Sequence, residues 1–236
     1  MQHILFNGSE RGVKDIGWLK SNFTFSFSSY YNPSKNGFGL LKVFNDDFVE
    51  AGKGFGLHPH QNMEIISIML NGQMNHKDSL GYADVVEKDW VQIMSAGSGL
   101  RHEEYNVGND DVNFLQIWIE PKLQNINPRY QRRNFPKDQR KNQLVTVVSN
   151  EEGQQHCWIN QNAKLSLGWF EAGQSTSYQF NPVNKGIFVF LMEGEAEVNG
   201  IKIGRRDAVG LWETEQVELR FVKETEFIII EAPINH

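Results

Sequence analysis

The sequence predicts an all-β protein built from two similar halves, and three observations carry that expectation. Strand-like segments rich in β-branched and aromatic residues follow one another with almost no helical pattern between them. Sixteen Phe and six Trp in 236 residues, with 21 Gly against 7 Pro, describe short aromatic strands separated by tight turns. A pattern in the first half also returns about 120 residues later. Ile65-Ile66-Ser67-Ile68-Met69-Leu70-Asn71-Gly72 is echoed by Ile187-Phe188-Val189-Phe190-Leu191-Met192-Glu193-Gly194, and Lys88-Asp89-Trp90-Val91 by Arg206-Asp207-Ala208-Val209.

Taken in order, the first strand is expected at 23–27, where Phe23, Phe25 and Phe27 alternate with Thr24 and Ser26. Strands at 38–44, 63–70, 83–86, 91–94 and 112–119 complete the first half. Those at 144–148, 165–170, 187–192, 196–203, 217–222 and 227–230 form the second. Asn71-Gly72 and Asn199-Gly200 are hairpin turns, because both residues tolerate the positive φ such turns require. Regular spacing of this kind reads as barrels or sandwiches. The expected domains are 1–130 and 131–236. Between them, the polar stretch 121–142 carries Arg129, Arg132, Arg133, Lys137, Arg140 and Lys141 with only Asp138 opposing. It reads as a solvated connection, with a helical turn within 127–141, rather than as a basic binding patch.

Composition narrows the function. Hydrophobic residues make up 39% and charged residues 22%, as in soluble globular proteins, and the net charge of −6 argues against a nucleic-acid-binding surface. Cys157 is the one cysteine, so no intramolecular disulfide can form, which fits a reducing compartment. The first twelve residues lack the apolar core of a signal peptide, and no apolar run approaches the length of a membrane span. A cytoplasmic protein acting as a monomer is expected.

Chemistry concentrates in two short patterns, His58-Pro59-His60 and His102-Glu103-Glu104. Side chains two apart on a strand point to the same face. Two such strands facing each other would converge three imidazoles and a carboxylate on one point, a mononuclear metal site without thiolate. Glycines flank both: Gly52, Gly54 and Gly56 before the first, Gly97-Ser98-Gly99 before the second. Irregular backbone beside a strand-borne pair helps aim side chains at one another. Glu64, four residues after His60, is a second candidate carboxylate at an even spacing. His76 reads as a surface residue beside a turn, and His3, His156 and His236 carry no pattern. With the repeat's offset applied, His58 and His60 fall on Phe180 and Pro182, and His102 and Glu104 on Arg220 and Val222. The second half therefore has no candidate ligands.

Several motifs in order resemble the pirin family of bicupins: Gly54-Phe55-Gly56-Leu57-His58-Pro59-His60, Met63-Glu64-Ile65, His76-Lys77-Asp78-Ser79-Leu80-Gly81, Met94-Ser95-Ala96-Gly97-Ser98-Gly99, His102-Glu103-Glu104-Tyr105-Asn106 and Leu115-Gln116-Ile117-Trp118-Ile119. The match is dense over the first 130 residues and architectural beyond. The resemblance implies two cupin barrels packed face to face, with one divalent metal ion in the first held by His58, His60, His102 and Glu104. Fe(II) is the expected ion, with Zn, Mn, Ni, Cu or Co as substitutes. Ordinary cupins take their carboxylate from the position Glu64 occupies. The pirin pattern favours Glu104 and leaves Glu64 to orient an imidazole N–H.

Three neutral imidazoles and one carboxylate leave an octahedral ion two open positions, as in non-haem oxygenases. The resemblance accordingly implies a quercetin 2,3-dioxygenase, with a flavonol-like aromatic and O2 as substrates, CO among the products and Glu104 as the base. Phe38, Phe55, Leu57 and Met94 are candidate pocket residues. The rival expectation is an iron-binding, redox-responsive regulatory or transcription-cofactor protein acting through a partner.

Overall fold

The structure, a computed structural model, describes residues 1–181 and 183–234; Pro182 and His236, both named above, lie outside them. The first half contains strands β1 (Gln2–Phe6), β2 (Gly12–Asp15), β3 (Leu19–Phe23), β4 (Leu41–Val49), β5 (Gly54–His60), β6 (Glu64–Asn71), β7 (Gln73–Asp78), β8 (Ala83–Glu87), β9 (Trp90–Ser95), β10 (Leu100–Asn106), β11 (Val112–Ile119) and β12 (Arg129–Asn134). The second half contains β13 (Leu144–Ser149), β14 (Cys157–Trp158), β15 (Lys164–Phe170), β16 (Ser175–Gln179), β17 (Gly186–Glu193), β18 (Glu195–Val198), β19 (Ile201–Gly204), β20 (Ala208–Trp212), β21 (Gln216–Phe221) and β22 (Thr225–Glu231). Among the described residues the helical elements are two 3-10 turns, Gly8–Glu10 and Lys137–Arg140, the second within the stretch where a turn was expected.

Sheet order turns the sequence repeat into architecture. One barrel combines a seven-stranded sheet, β12-β9-β6-β11-β4-β3-β2, with a four-stranded sheet, β5-β10-β7-β8. The other repeats the plan with β1-β20-β17-β22-β15-β13-β14 and β16-β21-β18-β19. The echoed segments, β6 with β17 and β9 with β20, hold equivalent places. The two large sheets face each other across a shared apolar core, in which Phe44 lies 5.1 Å from Phe188 and 4.7 Å from Phe190 between ring centroids. The molecule is a bicupin.

One strand ties the halves together. β1 pairs with β20, so the chain's first strand edges the second barrel's large sheet. The expected boundary at 130/131 falls inside β12, which pairs with β9 and edges the first barrel's large sheet.

Two sequence expectations need correction here. The segment 121–142 is not a solvated connection. Arg140 is buried and bonded to Asp89 Oδ1 at 2.6 Å, Arg132 bonds Asp84 at 2.8 Å, and Arg129 covers the Trp158 ring at 4.5 Å. Six residues of this stretch, Arg129–Asn134, form a sheet strand, which holds their side chains against the barrels. The strand expected at 23–27 ends at Phe23, because Ser26 turns to bond the backbone of Asn32 and Ser28 has positive φ. Without a ladder its alternation is lost as well. Phe25 enters the inter-barrel core, whereas Phe23 and Phe27 line a cavity in the first barrel.

The two barrel interiors differ in kind. The second is filled by apolar side chains, including Val189, Leu191, Val217, Leu219, Phe221 and Phe227. The first has apolar clusters at two ends, one around Met69, Met74 and Phe114, the other around Ile65, Met94, Leu100 and Tyr130. A polar row separates them. Gln92, Ser67, Gln116 and Asn45 are cross-strand neighbours on β9, β6, β11 and β4. Polar groups inside a barrel need partners or a ligand.

Candidate metal centre

β5 and β10 pair antiparallel, with His102 opposite His58 and Leu100 opposite His60. The i, i+2 spacing then sends His58 and His60 inward together, while Leu57 points out and is half exposed. The register shifts between His102 and Glu104, which lie opposite His58 and Phe55. β5 therefore carries one extra residue, a bulge around Gly56. Gly54 admits no side chain, since a Cβ there would lie 2.1 Å from the backbone oxygen of Glu104.

The three rings converge. Centroids lie 4.4 Å apart for His58 and His102, 4.8 Å for His58 and His60, and 5.0 Å for His60 and His102. One ring nitrogen from each lies within 4.8 Å of the other two. Tautomers follow from the partners. His58 Nδ1 is 2.7 Å from the Gly56 carbonyl oxygen, an acceptor only, so Nδ1 carries the hydrogen and Nε2 the lone pair. His102 Nε2 is buried without a hydrogen-bond partner among the described residues. Burial, and then the neighbouring His58, hold the His60 imidazole down to about 4. Burial, followed by His58, His60 and His76, pushes His102 lower still. Both rings are thus neutral at physiological pH, the form that ligates metal. An unpaired buried nitrogen amid neutral, convergent imidazoles fits a divalent ion of the middle or late first transition row.

Glu104 is buried on the same inward face of β10 and lines the same cavity. Its Oε1 accepts a 2.6 Å hydrogen bond from Gln92 Nε2, and burial raises its carboxyl above the usual range. Its donor atom groups within 4.8 Å with those of His102 and His76, rather than with the His58–His60–His102 trio.

Two other expectations fail. Glu64 does not orient an imidazole. Asn62, with φ of 48°, turns the chain between β5 and β6 and places Glu64 in the other sheet, so even spacing no longer means one face. There it accepts from Ser95 Oγ at 2.7 Å and from the Asn160 backbone N–H at 3.1 Å. His76 is not a surface residue. It sits on the inward face of β7, almost wholly buried, with Nε2 2.8 Å from Asp78 Oδ2.

The cavity beside the histidines has a volume of about 230 Å3 and is walled by Leu19, Phe23, Phe27, Phe55, Ile65 and Trp118. Trp118 meets His60 edge-on at 5.2 Å. Of the four pocket residues expected from sequence, only Phe55 lines it. Phe38 belongs to the inter-barrel core and Met94 to the cluster at one end of the barrel. The parity of Gln116 with Trp118 on β11 was a signal available for Trp118, whereas Phe23 and Phe27 share their parity with Phe25, which lies in the inter-barrel core.

Comparison with known proteins agrees with this geometry. A family model described as Pirin matches residues 7–119, and one described as Quercetinase C-terminal cupin domain matches residues 146–232. The quercetin 2,3-dioxygenase of Escherichia coli (strain K12) is 36% identical over 230 residues, covering 97% of this chain and 98% of the relative. A pirin-like protein of Caulobacter vibrioides is 36% identical over 222 residues, 94% of this chain and 95% of its own. The crystal structure of the Escherichia coli bacterial pirin YhhW in complex with nickel(II) superposes with a TM-score of 0.93 at 33% identity, over 99% of this chain and 100% of that one.

Proposed function

Because the chain belongs to the pirin family, we propose that it is a metal-dependent dioxygenase that cleaves flavonols such as quercetin with O2 and releases CO. The observation that carries this reading is the convergence of three imidazoles beside a cavity with aromatic walls. The proposed ligands are His58, His60, His102 and Glu104, holding Fe(II) or another divalent ion. A bound ion supplies Lewis acidity and open positions that orient reactants. The chain's own groups do the rest. Phe23, Phe27, Phe55 and Trp118 offer a slot for a planar aromatic and exclude water from it. Glu104, whose burial strengthens it as a base, takes the proton of the flavonol enol. Gln92 holds that carboxylate at 2.6 Å. The central ring then opens, two oxygen atoms enter the carbon skeleton and one ring carbon leaves as CO.

The test is O2 uptake and CO release on a flavonol panel by iron-, manganese-, nickel- and copper-loaded protein. Glu104→Gln should lower turnover by at least about 100-fold while lowering metal content far less. If fully metallated wild type consumes no O2 with any flavonol, the dioxygenase reading fails and a partner-binding regulatory role takes its place.

A further inference from the structure

We propose that His76 and Asp78 are positioning residues, which lock His102 in the one tautomer that leaves its inner nitrogen free for a metal ion. The inference rests on the metal-binding reading of the same site and extends it to residues that line neither the trio nor the cavity.

The chain of hydrogen bonds has a forced direction. Asp78 Oδ1 accepts the backbone N–H groups of Leu80 at 2.9 Å and Tyr82 at 3.1 Å, which fixes the carboxylate at the end of β7. Its other oxygen, Oδ2, lies 2.8 Å from His76 Nε2. A carboxylate only accepts, so a neutral His76 ring places its hydrogen on Nε2 and its lone pair on Nδ1. His76 Nδ1 in turn lies 3.5 Å from His102 Nδ1. Only one hydrogen fits between those nitrogens, and His102 must supply it. The lone pair of His102 is then on Nε2, the buried nitrogen that has no hydrogen-bond partner among the described residues. The opposite tautomer would bury an N–H with no acceptor, which is costly.

A second arm holds the first in place. The His76 ring stacks on Tyr130 at 4.1 Å with 9° between planes. Tyr130 Oη donates to Gln92 Oε1 at 3.0 Å, and burial keeps the phenol protonated by pushing it far up. That bond orients the amide so that Nε2 donates to Glu104 Oε1. One stacked pair of rings therefore aims both His102 and Glu104. Partners of this kind on metal-ligating histidines change metal affinity by roughly 10- to 100-fold.

Three substitutions separate this role from simple packing, read by nickel(II) titration calorimetry with thermal melts as a check on folding. Gln at position 76 can accept from His102 through its carbonyl and donate to Asp78 through its amide, whereas Phe keeps only the stack on Tyr130. We expect His76→Gln to stay within about threefold of wild type and His76→Phe to bind nickel about 10- to 100-fold more weakly. Asp78→Asn presents an amide N–H to His76, reverses both tautomers and should weaken binding by at least about tenfold. Equal affinity of His76→Phe and wild type overturns the proposal, as does a His76→Gln variant as weak as His76→Phe, which would make His76 itself a ligand. Both results leave the metal site standing. Absence of nickel binding by wild type removes the metal reading and this inference together.

Discussion

Asp47 lines the first barrel's cavity from β4, beside Asn45, and one of its oxygens is buried without a hydrogen-bond partner among the described residues. Burial pushes its carboxyl up to about 7; a hydrogen bond from Ser21 opposes this, and the charges of Asp46 and Glu104 add to it. The folded chain thus holds this proton more tightly than the unfolded chain. Its stabilising contribution is complete below about pH 3.9 and is lost as pH rises through about 7. In metal-free protein, Asp47→Asn should therefore raise stability by about 2–4 kcal/mol at pH 8.5 and by little at pH 4. Denaturant melts at the two pH values check this, and an equal gain at both would show that ionisation is not the cause. A residue retained at such a cost, on the wall of the pocket, is where a requirement other than stability is expected.

At the level of the element, the β5–β10 pair carries the site, and its register depends on close backbone approach. Gly54 and Gly56 lie on the same strand but differ in their surroundings. A Cβ at Gly54 would meet the Glu104 backbone oxygen at 2.1 Å, while the nearest atom to one at Gly56 is Tyr105 Oη at 3.7 Å. Gly54→Ala must push β10 away at the residue that bears the carboxylate. It should destabilise by about 2–4 kcal/mol and reduce nickel uptake. Gly56→Ala should cost about 1 kcal/mol or less. Thermal melts and metal content of the two variants settle the matter, and parity between them would mean that the strand tolerates the shift.

Across the whole molecule, the barrels are joined through an apolar core shared by their large sheets and not through a linker alone. Phe188 of the second barrel meets Phe6, Phe25, Phe38 and Phe44, all from the first fifth of the chain. Phe188→Ala opens a cavity between the sheets and should cost about 3–5 kcal/mol. Because β1, from the first half, edges the second barrel's sheet and the large sheets share one apolar core, unfolding should remain a single transition. Nickel release and tryptophan fluorescence should then shift to lower denaturant together. Two separated transitions in that variant would show that the barrels unfold independently. The described residues contain no helix long and apolar enough to cross a membrane.

Periodicity and local chemistry made much of this legible without coordinates. Alternation located most of the core strands, with 112–119 matching β11 end to end. The echo of 65–72 in 187–194 foretold two equivalent sheets, and paired i, i+2 histidines foretold a convergent site. All of these depend on residues near each other in the chain, whose directions the strand backbone dictates. What depended on distant packing was not legible. A turn at Asn62 moved Glu64 to another sheet, and pairing with β10 took His76 from an apparent surface turn into the barrel. The pairing of β12 with β9 drew a basic linker onto the protein's surface, and Phe23, Phe27 and Trp118 became cavity walls only when three strands met. A side chain's face follows from its own strand, but its neighbours follow from which strands pair and in what register. Only the tertiary fold decides that.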